Sequence, residues 1–287
     1  MLNSLKSLLI LNLIVILPSY ALEQVHHHAQ HVPVWQSSLI GGLAGAAEVA
    51  LPGQALSYWM NMRIKGQPFV LANSYRGFAV NALCEFPSSA LEKIIKDQGS
   101  ELVANYQLAP LNNIQKTGLS FAAGMAGALI DTPSNAVQIY LQDAANLKKN
   151  SFQAIRALGN HLYRGFVPNS FLKEAPFAVG YQVLAPQGQA AVRPYVGNDL
   201  EANILGGALA GVTTAVITQP GSVLRNKMQN EWAALQPKTF MQTIRSVYAQ
   251  NGLKGFFKGL PQRGIRTALS VYLYATYSQK LEALFNE

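Results

Sequence analysis

The side chains in this 287-residue chain that could do chemistry lack the arrangement of an enzyme. Cys84 is the single cysteine, so no disulfide can form within the chain, and no acid or histidine arrangement marks it as a catalytic thiol. There is no glycine-rich phosphate loop and no nucleophile with its base, so enzymatic activity is not expected. His26, His27, His28 and His31 form a metal-like cluster, but on a polar tail they read as solvated side chains. No metal and no cofactor are expected. What recurs is a polar set just behind three prolines: Gln54 and Ser57 after Pro52, Asn135 and Gln138 after Pro133, Ser222 and Arg225 after Pro220. Amides and hydroxyls held there can exchange hydrogen bonds with one another.

The elements that must position these groups repeat three times. Each proline ends a Gly-rich apolar stretch, and a loop later an aromatic-basic-glycine triplet opens a second one: Tyr75-Arg76-Gly77, Tyr163-Arg164-Gly165 and Phe257-Lys258-Gly259. The spacing from Gly77 to Pro133 nearly equals that from Gly165 to Pro220, while the loop from proline to triplet lengthens with each repeat. Constant spans joined by variable loops are the behaviour of membrane hairpins, because bilayer thickness sets the spans alone. Hydrophobic residues make up 49% of the chain and charged residues 13%, against about 25% charged in ordinary soluble proteins. Mean hydropathy is nevertheless only +0.12, so the spans must be amphipathic. Residues 37–62 and 202–229 are long enough as helices to cross a bilayer, with polar groups beyond each proline that need a wet cavity or another helix. Glycines before the prolines, among them Gly41, Gly45, Gly124, Gly127, Gly207 and Gly211, allow helices to approach closely in lipid.

The strings PGQALS, PSNAVQ and PGSVLR, with GGALAGVTTAVITQPGSVLRNKMQ and the later NGLKGFFKG, resemble the mitochondrial carrier family. Its signature is a proline, any residue, an acid, two residues and a base. The resemblance spans about residues 36–284. It implies an all-α membrane protein with six transmembrane helices in three pseudo-symmetric helix-loop-helix repeats (36–100, 112–185 and 200–284), carrying short matrix surface helices. It also implies kinks at Pro52, Pro133 and Pro220, and a matrix gate at Gln54, Ser57, Asn135, Gln138, Gln142, Ser222, Arg225 and Gln229. Asn61 stands where the first repeat would have its bracing glutamine. The chain departs from the family in charge: the acid positions hold Gln54, Asn135 and Ser222, the base positions Ser57, Gln138 and Arg225, so no complete ion pair can form. We expect amide and hydroxyl hydrogen bonds to hold the gate, with Arg225 near Asn135. Neutral bonds contribute about 1 kcal/mol each, less than charge-assisted ones. Two outcomes stay open, loosened coupling with net uniport or a different polar network that closes equally well. On the opposite side the stretches Ile95-Lys96-Asp97, Tyr181-Gln182 and Tyr277-Ser278 keep one acid, Asp97.

Counting from the triplet glycines, the resemblance implies substrate contacts at Cys84, Leu172 and Arg266, with Asn81, Lys173 and Arg263 close by. Aligning Pro176 with Pro87 instead moves the register by one and makes Lys173-Glu174 the middle pair. Asn81, Phe86-Pro87 and Ala90-Leu91 resemble ADP/ATP carriers, as does Arg266, whose charged fork suits phosphate or carboxylate. In the family a base followed by an acid goes with amino acids. The expected cargo is a small anionic metabolite, adenine nucleotide first, carboxylate or amino acid second. A transport-inactive membrane effector built on the carrier scaffold is the competing class.

The net charge of +8 is spread through hydrophobic repeats without a nucleic-acid-binding motif, so membrane lipid and not nucleic acid is the expected partner, with a monomer in the mitochondrial inner membrane. Residues 238–252 read as an amphipathic surface helix, which the short first-repeat loop lacks. Residues 1–21 resemble a secretory signal and residues 22–35 a polar His-rich tail. A cleaved signal, an interfacial anchor and a remnant all fit. Bacterial origin with delivery to a host mitochondrion would reconcile that leader with the repeats.

Overall fold

The structure is a computed structural model that describes residues 33–48, 53–107, 109–232 and 236–286. Residues 1–21, the four tail histidines and Pro52 lie outside the described residues. Those described form helices and turns, with no strand among them. The long elements are α1 (Val34–Glu48), α2 (Gln54–Lys65), α3 (Phe78–Gln107) and α4 (Asn113–Leu141). A short α5 (Ser151–Leu158) precedes α6, which runs over residues 166–192, then α7 (Asp199–Asn230), α8 (Phe240–Asn251) and α9 (Leu260–Asn286). α1 packs on α3, α3 on α4, α4 on α6, α6 on α7, α7 on α9, and α9 returns to α1 and α2. The helices close a ring.

Local chemistry sets the ends of these helices. Asn112 with Gln115, Asn150 with Gln153 and Thr239 with Gln242 form capping boxes at α4, α5 and α8, satisfying N–H groups that a first turn leaves without partners. α4 and α7 run without interruption through Pro133 and Pro220. α8 occupies the segment read as an amphipathic surface helix and packs Val247 on Leu224 of α7, while α5 packs Ala154 and Leu158 on Tyr140 and Leu141 of α4. The first repeat has a single 3₁₀ turn, Leu71–Asn73, in the same place.

α7 is turned inside out relative to a helix of a water-soluble core. Leu205, Leu209, Val212 and Val216 face outward, while Thr214, Thr218, Ser222, Arg225 and Gln229 are buried. Over Glu201–Asn230 it is the one described helix that is both long and apolar enough to cross a membrane. Close helix packing needs small residues: a Cβ on Gly124 of α4 would lie 2.5 Å from the Glu174 carbonyl oxygen of α6.

α6 departs from regular geometry for a covalent reason. Pro176 and Pro186 lack an N–H, and just ahead of each the helix widens into a π turn, Ser170–Glu174 and Gly180–Leu184. Each π turn accommodates one extra residue and so rotates the remainder of the helix about its axis.

The triplets link each repeat to the next. Arg76 donates to the carbonyls of Leu141 (2.8 Å), Asn146 (3.2 Å) and Lys149 (3.1 Å) at the end of α4. Arg164 does the same at the end of α7, on the carbonyls of Met228 and Lys238 and the Glu231 carboxylate. Lys258 lies against Gly66 at the end of α2, completing the cycle. Burial, and then the nearby charges of Lys227 and Arg63, hold its ammonium below the usual lysine range. The three glycines share a left-handed backbone, with φ of +79° at Gly77, +80° at Gly165 and +84° at Gly259. A Cβ on Gly165 would also come within 3.3 Å of the Arg225 carbonyl oxygen. Gly165→Ala should therefore cost about 1–2 kcal/mol from the backbone alone. Thermal unfolding in detergent should show a lower midpoint for it, whereas Gly118→Ala, in α4 with open space around it, should match or exceed the parent.

Candidate functional site

One end of the ring is closed by amides. Gln138 of α4 donates to the Gln54 oxygen of α2 at 2.7 Å, and Asn81 of α3 donates to the same oxygen at 3.2 Å. Gln54 in turn donates to the Arg76 carbonyl, so the first triplet and the gate are one network. Asn61 of α2 donates to Gln142 beyond the end of α4 at 3.0 Å and accepts from Asn226 of α7 at 2.9 Å. Gln229 of α7 donates to the Thr132 carbonyl of α4 at 3.2 Å. α2, α4 and α7 are thus joined pairwise. One charged contact adds to them, Lys65 of α2 with Asp143 at 3.3 Å.

Above this floor lies a polar cavity that is open to solvent. Four cations line it, Lys173, Arg225, Arg263 and Arg266, with four carboxylates, Glu85, Glu92, Asp131 and Glu174. Several of these groups are already engaged. Lys173 contacts Glu174, Ser89 donates to Glu85 at 3.0 Å, and the Tyr181 hydroxyl donates to Glu92. Arg263, 1% exposed, places two N–H groups on the Thr218 hydroxyl at 2.8 and 3.1 Å. Arg225 is 2% exposed, and its Nε and Nη1 have no hydrogen-bond partner among the described residues. Arg225, Arg263 and Arg266 lie near enough to repel one another, with Asp131 the acid facing Arg225. Phe177, Tyr181 and Tyr274 form an aromatic wall, their ring centroids 5.4 and 4.5 Å apart on either side of Tyr181.

The structure gathers some sequence-predicted residues and separates others. Gln54, Gln138, Gln142 and Gln229 meet partners across helices at the closed end. Asn135 does not bond Arg225; its amide donates to the Asp131 carbonyl one turn back in its own helix at 2.7 Å. The Ser222 hydroxyl has no partner among the described residues, and Ser57 faces the cavity, so hydroxyls add no described cross-link to the gate. Asn81, Lys173, Glu174, Arg263 and Arg266 line the cavity. Leu172 faces outward at 38% exposure, its backbone against Gly221, and half-buried Cys84 is not among the lining residues. The π turn is the reason for Leu172: its extra residue gives the cavity to Lys173 and Glu174. Asp97 pairs with Lys93 (3.1 Å) and accepts from Ser37 of α1 (2.8 Å), which ties it to a neighbouring helix.

Sequence reasoning missed Glu85, Glu92, Asp131, Phe177 and Tyr274; it named Tyr181 only on the opposite side, and Glu85 follows Cys84 as Lys173 follows Leu172. It also missed Asn226 and the Lys65 contact with Asp143. A further signal was the cluster of carboxylates inside otherwise apolar helices.

Residues 198–287 match the family model described as mitochondrial carrier protein. Over 125 residues the chain is 32% identical to mitochondrial glycine transporter B of Danio rerio, covering 42% of each chain. The chain therefore aligns with about two fifths of that relative's length. Longer alignments at lower identity join it to a probable mitochondrial 2-oxodicarboxylate carrier of Dictyostelium discoideum, 23% identical over 82% of this chain and 85% of that one. A probable chloroplastic S-adenosylmethionine carrier 2 of Arabidopsis thaliana is 22% identical over 88% and 75%. The last third of the chain, α7 to α9 of the helical ring, is thus similar to mitochondrial carrier proteins, and weaker likeness to carriers extends over most of its length.

Proposed function

We propose that the chain carries a small anionic metabolite across the mitochondrial inner membrane by alternating access, with the ring's six helical rods as spans. The outward apolar stripe of α7 suits contact with lipid, and its buried polar stripe suits a wet path. The ring closes within one chain, which supports a monomer. Arg225 carries this reading. A buried guanidinium with two partnerless nitrogens costs several kcal/mol, and an anion entering the cavity offsets that cost. Arg263 and Arg266 lie beside it, so an anion there would meet three guanidinium groups, an arrangement that suits a phosphate with several oxygens. The wall of Phe177, Tyr181 and Tyr274 offers rings on which a planar base can stack. Together these support adenine nucleotide.

A second reading, an amino acid or carboxylate, has its own support. Glu85, Asp131 and Glu174 stand in the same cavity as the arginines, an arrangement that complements a zwitterion. The names of the glycine, 2-oxodicarboxylate and S-adenosylmethionine carriers point the same way. Exchange into reconstituted vesicles of labelled ATP, glycine, S-adenosylmethionine and a 2-oxodicarboxylate separates the two. Arg225→Ala should reduce uptake of the true cargo about tenfold or more, since one charge-assisted bond contributes about 1.5–3 kcal/mol. Failure to transport any of the four, with the protein inserted, would favour the transport-inactive effector.

The amide floor generates a separate expectation. Neutral bonds contribute about 1 kcal/mol each, so the closed end should open without a counter-substrate to drive it. Vesicles loaded with buffer alone should take up cargo at a rate comparable to exchange. Uptake that appears only with internal substrate would show that the gate is tight.

A further inference from the structure

Among the cavity's carboxylates, Glu92 has a setting that anion binding does not use. It sits in α3, 6% exposed, at a junction where α3 meets α4, α6 and α9. Its described hydrogen bond is to the hydroxyl of Tyr181 on α6, a neutral donor. No lysine or arginine lies within ion-pair distance of it among the described residues. α4 faces it with Gly127, whose missing side chain leaves the room the carboxyl occupies, and with the charge of Asp131. From α6 come Tyr181 and the more distant Lys173, and from α9 the Tyr274 hydroxyl. On its own helix Glu85 lies toward the cavity, while Lys93 on the next residue is paired with Asp97 toward α1. Gly41, the part of α1 that meets this stretch of α3, approaches Ser89 and Lys93 and brings no titratable group to Glu92.

A carboxylate sealed among helices without a counter-cation is stabilised by taking a proton, and this one touches the space that opens to solvent. An anion bound on the arginines would add negative charge to the same cavity and strengthen the pull on a proton. We propose that Glu92 is a proton-carrying site, so that cargo and a proton cross together. The proposal rests on the cavity being the transport path. The proton comes from water on the open side, adds to a carboxylate oxygen of Glu92, and the Tyr181 hydroxyl adjusts to the protonated partner. When the ring opens to the other side, the proton leaves to water there and the carboxylate is restored. No other reactant is required.

Vesicles containing a pH-sensitive dye and the full chain provide the test, with labelled ATP and labelled glycine as probes. With equal pH on both sides, exchange of a probe establishes that the cavity transports. Uptake should then acidify the interior, and an acid exterior should drive accumulation above the equal-pH level. Glu92→Gln should lower the protons moved per cargo molecule severalfold. Tyr181→Phe, which removes the donor to the carboxylate, should move the midpoint of the pH dependence upward. That second variant keeps the test decisive if Glu92→Gln fails to insert. Net uptake into vesicles loaded with buffer alone that leaves the interior pH unchanged, or a proton-to-cargo ratio unchanged in Glu92→Gln, would overturn proton coupling while leaving the transport reading intact. Absence of all exchange would overturn both.

Discussion

A hydrogen-bonding group at the centre of a helical ring loses access to water when the ring closes, and an unsatisfied one costs about 1–3 kcal/mol. The closed end meets much of this constraint by sharing partners across repeats, although the Gln142 amide nitrogen and the Gln229 amide oxygen have no partner among the described residues. Gln54 accepts from both Asn81 and Gln138, and Asn61 accepts from Asn226 while donating to Gln142. Because most of these bonds cross from one repeat to another, no repeat can complete its polar face alone. The triplet arginines impose the same dependence from outside, since Arg76 and Arg164 satisfy the Leu141 and Met228 carbonyls at the ends of helices in the following repeat. Helix termini leave their last carbonyls without intrahelical donors, so a long cationic fork at that spot secures both a helix end and a repeat boundary.

This cyclic dependence explains which features were legible in the sequence. Repeated spacing revealed the helical rods and the turns between them, because a glycine with φ near +80° must recur wherever the same turn recurs. The amide partners were legible too, since Gln54 and Gln138, like Asn61 and Gln142, stand at related places behind the prolines. Arg225 and Asn135 line the same cavity, but position in a repeat does not say which group a side chain bonds, and no described hydrogen bond joins the two. Asn135 uses its amide on its own helix, a local bond that competes with any cross-helix one. Of the two registers read for the middle contact, the one that aligns Pro176 with Pro87 gives Lys173 and Glu174, which line the cavity, whereas the count from Gly165 gives Leu172, which faces outward. Counting residues assumes a regular helix, and the π turn at Ser170–Glu174 breaks that assumption by one residue. The prolines of α6 were visible, but the turn that absorbs the missing donor could have been placed on either side of each.

The charges have been displaced from the gate without being lost. Asp131 lies one helical turn from Asn135, where the family's acid would stand, and Arg225 keeps the base position of its repeat. Asp131 and Asn135 both line the cavity, so an acid faces it one turn from that position. An arginine that would otherwise be held by the gate is thereby left with two partnerless nitrogens.

This division bears on how the two ends communicate. The amide-to-amide bonds Gln54 to Gln138, Asn61 to Gln142 and Asn61 to Asn226 contribute about 1 kcal/mol each, so together they bias the closed end by roughly a hundredfold. A cargo can shift a two-state equilibrium only by its difference in affinity for the two states. One charge-assisted bond to Arg225, at about 1.5–3 kcal/mol, is comparable to that entire bias if it tightens as the ring rearranges. A gate of interlocking ion pairs would require several such contacts. On the proposed transport reading, the floor's amide bonds and the partnerless nitrogens of Arg225 are therefore similar in size, so a small cargo with few charged groups would offset much of what holds the end closed, the Lys65–Asp143 contact adding to that bias.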